Sequence, residues 1–96
     1  DTTHAWHLYV LRLADGAPVD RNRFIELMAQ AGVGCSVHFI PLHHHPYWRE
    51  LRGPDAPALP VADAQFARAV SLPIFSSMTQ AQVDKVVASV RSILER

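Results

Sequence analysis

The C-terminal stretch constrains the fold more than any other part of the chain. Thr79 and Gln82 have the spacing of a capping box, and Met78 and Val83 flank it as a hydrophobic staple. Val83, Val86, Val87, Val90, Ile93 and Leu94 then recur at helical spacing and make one apolar stripe. Most of the stability of such a helix comes from covering that stripe, so the remaining sequence has to supply an apolar surface against it. The chain has 96 residues, enough for a single core and one small domain.

The covering surface reads as short strands with one further long helix. Residues 6 to 13 are aromatic, branched or otherwise apolar and are closed by Asp15-Gly16 and Pro18, which predicts a strand. Trp6, Leu8 and Val10 fall on one face and Tyr9, Leu11 and Leu13 on the other, so both faces are apolar and one is expected to lack cover. Asp20 is a suitable N-cap; Phe24, Ile25, Leu27, Met28 and Ala31 follow at helical spacing up to Gly32, a suitable stop. Cys35 to Ile40 alternates as a strand that Pro41 ends, because proline has no backbone N–H. A loop with a short helical turn over residues 47 to 51 is expected next, then an exposed Gly- and Pro-rich connection and a short helix over 61 to 70. Ser71 to Phe75 reads as a brief strand suited by Pro73 to a sheet edge. This order predicts an α+β fold, a small and mainly antiparallel sheet of about three strands with helices packed on one face.

Composition excludes several classes of partner. Nine basic and nine acidic side chains cancel and form no run of like charge, so neither a nucleic-acid partner nor a membrane surface is expected. Cys35 is the single cysteine, which excludes an internal disulfide and fits a reducing, cytoplasmic setting. No apolar run approaches the length of a membrane span. Residues 1–96 are expected to be one domain, and the Asp1 start, with strand-like sequence close behind it, suggests a piece of a longer protein.

The segment from Ser36 to Arg49 concentrates the chemistry. It holds four of the six histidines, His38, His43, His44 and His45, together with Tyr47, Trp48 and Arg49. Metal binding is one reading of these imidazoles, but adjacent histidines point in different directions and no carboxylate or second cysteine is placed beside them, so no metal site is expected. A nucleophilic Cys35 is another; on a strand it faces away from His38, and a small buried hydrophobe is the simpler account. Ser36 shares the His38 face without any oxyanion-hole sequence, which makes a serine hydrolase weak. The third reading is a half-site, in which His38, His43 and the residues from Tyr47 to Arg49 line a pocket whose other wall lies elsewhere and takes a polar ligand. The plain alternative is a satisfied strand-end histidine beside ordinary aromatic packing, and the residues alone do not separate the two. Lys85, the only lysine, lies opposite the apolar stripe and reads as a solvated residue.

Several motifs in register carry a family resemblance. The run His4 to Val10, the turn Gly32-Val33-Gly34 leading into Ser36 to His43, then Pro46-Tyr47-Trp48, and Ser71 to Phe75 with Met78-Thr79 occur in this order and spacing. Across nearly its whole length the chain resembles the C-terminal small domain of the DegT/DnrJ/EryC1/StrS aminotransferases, pyridoxal-phosphate-dependent sugar aminotransferases of fold type I. The resemblance implies a parent enzyme, usually dimeric, that moves an amino group from a donor such as glutamate to a keto group of a nucleotide-linked sugar. It implies that a missing N-terminal large domain carries the cofactor lysine and that the fragment alone binds no pyridoxal phosphate and is inactive, with no catalytic residue of its own. The substrate-facing residues it implies are His38, Pro41 and His43, with Tyr47 and Arg49; His44 and His45 are not fixed features of the family. A minority of members dehydrate sugars or regulate transcription. The competing reading is a stand-alone regulatory module that binds a ligand or metal through the His38/His43 face.

Overall fold

A computed structural model describes residues 2–95. Three strands, β1 (Tyr9–Arg12), β2 (Ser36–Val37) and β3 (Ala69–Leu72), alternate with the helices α1 (Arg21–Gln30), α2 (Pro46–Arg52), α3 (Pro60–Arg68) and α4 (Gln80–Leu94), and a 3-10 turn covers Leu42–His44. The expected α+β architecture with a three-stranded antiparallel sheet is what forms, in the order β1-β3-β2.

The two long helices are delimited as their end residues predict. Asp20 caps α1 by accepting the Arg23 N–H at 2.8 Å. At the other end Gly32 N–H donates to Ala29 O at 2.9 Å and Val33 N–H to Met28 O at 2.8 Å, a Schellman closure. It puts Gly32 at φ +82, where a side chain is disfavoured. A Cβ there would lie 2.8 Å from Lys85 Nζ, which stands near the carbonyl end of α1 where a cation is favoured. Lys85 is exposed, as expected. On α4 the capping box is reciprocal, with Gln82 N–H donating to Thr79 Oγ1 at 3.2 Å and Thr79 N–H to Gln82 Oε1 at 2.8 Å.

The two helices meet over only part of their stripes: α1 buries Phe24, Leu27 and Met28, whereas α4 buries Ile93 alone and leaves Val83 and Val87 exposed. Phe24 and Met28 of α1 and Val70 of β3 are 0% exposed, and Leu13, Val33 and Ile93 of α4 close the cluster around them. Burying a side chain of this size contributes about 1.5–3 kcal/mol. Tyr9 and Val10 of β1 both remain exposed although they lie on opposite faces, so the missing cover is not confined to one face as expected.

Five elements differ in their bounds from the sequence reading, and one reverses a placement. β3 runs over Ala69–Leu72 and not Ser71–Phe75, and it is the central strand, not an edge. Pro73 lies just past the ladder, so its missing N–H interrupts nothing. α3 accordingly stops at Arg68: Ala69 and Val70, read as the end of its apolar face, are the buried start of a strand, and a short apolar run does not distinguish the two by periodicity. β1 is shorter than residues 6–13 because it pairs only with the four residues of β3; Trp6, ahead of it, has φ 52. β2 is reduced to Ser36 and Val37, opposite Ser71 and Val70. α2 extends the expected turn to seven residues, with Pro46 in its first turn where a proline is tolerated. No helix among the described residues is long and apolar enough to cross a membrane.

Candidate functional site

The chain leaves the sheet after Val37 and passes through His38, Phe39 and Ile40 into the 3-10 turn and α2. His44 N–H bonds Pro41 O and His45 N–H bonds Leu42 O, both at 3.0 Å, which folds the histidine run back tightly. Arg49 N–H then bonds His45 O at 2.9 Å and starts α2. The Tyr47 and Trp48 rings meet edge to face with centroids 5.0 Å apart.

The turn is anchored from across the fold. His43 Nε2 lies 2.7 Å and His44 Nε2 2.5 Å from one atom, Asp63 Oδ1, and the two rings are 4.4 Å apart. Asp63 belongs to the first turn of α3, which is itself tied to the rest of the fold. Arg12 of β1 donates to Gln65 Oε1 at 3.0 Å, and Arg21 of α1 donates to Phe66 O with its guanidinium 4.8 Å above the Phe66 ring. The imidazole contacts of His44, then of His43, hold the Asp63 carboxyl below the usual carboxylate range. The side chain of His43 is 12% exposed, against 49% for His44 and 44% for Asp63, so His43 is the enclosed member of the cluster.

Two premises of the expectation against a metal therefore do not hold. His43 and His44 converge, and a carboxylate is beside them. Asp63 was missed because it arrives from 20 residues further along, and the only sequence signal for it is an acid in the first turn of a helix.

The other predicted residues are placed as follows. His38 is half-buried, and its Nδ1 is buried with no hydrogen-bond partner among the described residues. Its ring meets Phe39 edge-on at 5.6 Å. Pro41 is half-buried at the entry to the turn, while Tyr47, at 68% exposure, and Arg49 are exposed on α2. The structure joins His43 to α2 through the packing of turn on helix, yet none of its three described cavities, of about 430, 280 and 220 Å³, is lined by His38, His43, Tyr47 or Arg49. Phe39, Ile40, Leu42, Tyr47 and Leu51 of the same segment are large apolar side chains left exposed. Cys35 packs against the core and burial pushes its thiol pKa up, the opposite of what a nucleophile needs.

Comparison with known proteins identifies the family. The model of the DegT/DnrJ/EryC1/StrS aminotransferase family matches residues 1–91. The chain is 42% identical over 92 residues to the uncharacterized protein MJ1066 of Methanocaldococcus jannaschii, covering 95% of this chain and 24% of that protein. It is 41% identical over 97 residues to the spore coat polysaccharide biosynthesis protein SpsC of Bacillus subtilis, covering 99% of this chain and 25% of that one. Among solved structures, the putative sugar aminotransferase Spr1654 of Streptococcus pneumoniae in its PMP-form superposes with a TM-score of 0.78 at 29% identity, over 93% of this chain and 22% of that chain. The sugar aminotransferase CalS13 of Micromonospora echinospora gives 0.70 at 25% identity, over 88% and 21%. The chain thus spans about a quarter of the length of the relatives it matches. With a match across almost every residue and a shared three-dimensional fold, the chain belongs to the DegT/DnrJ/EryC1/StrS aminotransferase family.

Proposed function

We propose that this chain is the C-terminal small domain of a pyridoxal-phosphate-dependent sugar aminotransferase. In this reading the whole protein passes an amino group from glutamate to a keto group of a nucleotide-linked sugar, in the cytoplasm and as a dimer. The relatives that are sugar aminotransferases and the small share of their length that this chain spans support it. The observation that carries the site is His38: a buried ring nitrogen without a partner costs about 1–3 kcal/mol, and an outside group that bonds it removes that cost.

Pyridoxal phosphate does not fit the residues present. Lys85, the one lysine, sits at the carbonyl end of α1 beside Gly32, so in this reading the cofactor lysine and phosphate cradle belong to the rest of the protein. When bound there, the cofactor supplies the electron sink and carries the amino group. The work of this chain is positional. His38 bonds a polar group of the substrate or donor, Pro41 holds the loop in extended entry, Tyr47 offers a ring face and Arg49 a carboxylate or phosphate contact. His43, whose Nε2 is already held by Asp63, keeps the turn in place beneath them. The apolar surface from Phe39 to Leu51 closes against the large domain and excludes water.

The test is the visible spectrum of the full-length protein with pyridoxal phosphate, before and after glutamate. A cofactor band that glutamate shifts supports the aminotransferase reading, and a protein that takes up no cofactor overturns it. His38→Ala in that protein should lower sugar amination at least about tenfold with cofactor loading intact, since it removes a group used in the amination and not in loading. Unchanged turnover would count against the site.

A further inference from the structure

The cluster of His43, His44 and Asp63 is not needed by this reading in the form it takes. One anchoring hydrogen bond would hold the turn, yet two imidazole nitrogens close on one carboxylate oxygen. The three potential ligand atoms lie within 4.8 Å of one another.

We propose that His43 Nε2, His44 Nε2 and Asp63 Oδ1 form a binding site for a divalent first-row transition ion of the zinc class. Two imidazoles and one carboxylate with the remaining position open are the donor set of catalytic zinc centres and of non-haem iron centres. Imidazole nitrogen favours zinc, nickel or copper over magnesium or calcium, which take oxygen. Ligand bonds of about 2.1 Å in tetrahedral geometry separate the ligand atoms by about 3.4 Å. The present separations of 2.7 and 2.5 Å have to widen by less than about 1 Å, which torsion of the half-exposed His44 and Asp63 side chains allows. His43 is the enclosed and fixed ligand. The exposed edges of His44 and Asp63 provide the entry path and leave the fourth position to water. The ion would cross-link the 3-10 turn to α3 and hold the histidine loop rigid on the domain.

This inference stands apart from the aminotransferase reading, because it is tested by binding and not by turnover. Zinc is titrated into the full-length protein against a chromophoric chelator, and cobalt is then added to read the coordination from its visible bands. Wild type should bind one equivalent more than Asp63→Asn or His44→Ala. Each variant should weaken that site by more than the about 10–100-fold that loss of an outer partner costs. His45→Ala, next in sequence but outside the cluster, should leave it unchanged. Equal binding by wild type and Asp63→Asn overturns the site, as does no saturable equivalent in wild type; in either case the three groups are only hydrogen-bonded. A His45→Ala loss equal to that of His44→Ala overturns it too, since surface histidines would then bind without the cluster.

Discussion

The half of the molecule built from α1, β3 and α4 and the half built from residues 38–52 are opposites in how they meet their physical obligations. In the first, helix ends are capped by Asp20, Gly32 and the Thr79–Gln82 pair, and Phe24, Leu27, Met28, Val70 and Ile93 are enclosed, although Val83 and Val87 of α4 are not. In the second, Phe39, Leu42, Tyr47 and Leu51 face outward and a ring nitrogen of His38 is buried without a partner. The contrast separates residues that hold the fold from residues that await contact.

The comparison breaks most visibly with a pair of truncations. Phe24→Ala should remove about 3–5 kcal/mol of protection from hydrogen exchange across α1 and β3 in the full-length protein. Tyr47→Ala, at 68% exposure, should change it by no more than about 0.5 kcal/mol. Similar losses would mean that the loop is part of the core after all. A smaller effect sharpens the role of the caps: Thr79→Ala should lower protection in the first turns of α4 by about 1 kcal/mol, and no change would mean that packing alone starts this helix. The smallest effect concerns Asp63. Its carboxyl is held below its ordinary value of 3.8, so its contribution is present above that pH and is lost as pH falls through the lower folded value. Asp63→Asn should therefore reduce protection of the turn near neutral pH, and the difference from wild type should vanish in acid. A difference that persists in acid would show that the hydrogen-bond geometry and not the charge matters.

The two halves were also unequally legible. Asp20, Gly32 and the Thr79–Gln82 box declare helix ends through bonds to backbone groups a few residues away, so spacing alone locates them. His38 likewise stood out at the end of a strand, and family motifs pointed to it. β3 was misread because Ala69-Val70-Ser71-Leu72 is too short for its period to show, and its place at the centre depends on which strands reach it. Asp63 carried no mark linking it to histidines 20 residues earlier.

What the sequence determined by itself was therefore the local grammar of this protein: its capped helices, its apolar stripes and its family. Tertiary structure alone decided that β3 lies between β1 and β2, that Asp63 meets His43 and His44, and that His38 keeps a nitrogen without a partner. The reason is range: caps and turns are satisfied within about one helical turn of chain, whereas pairing, convergence and burial depend on segments that only folding brings together.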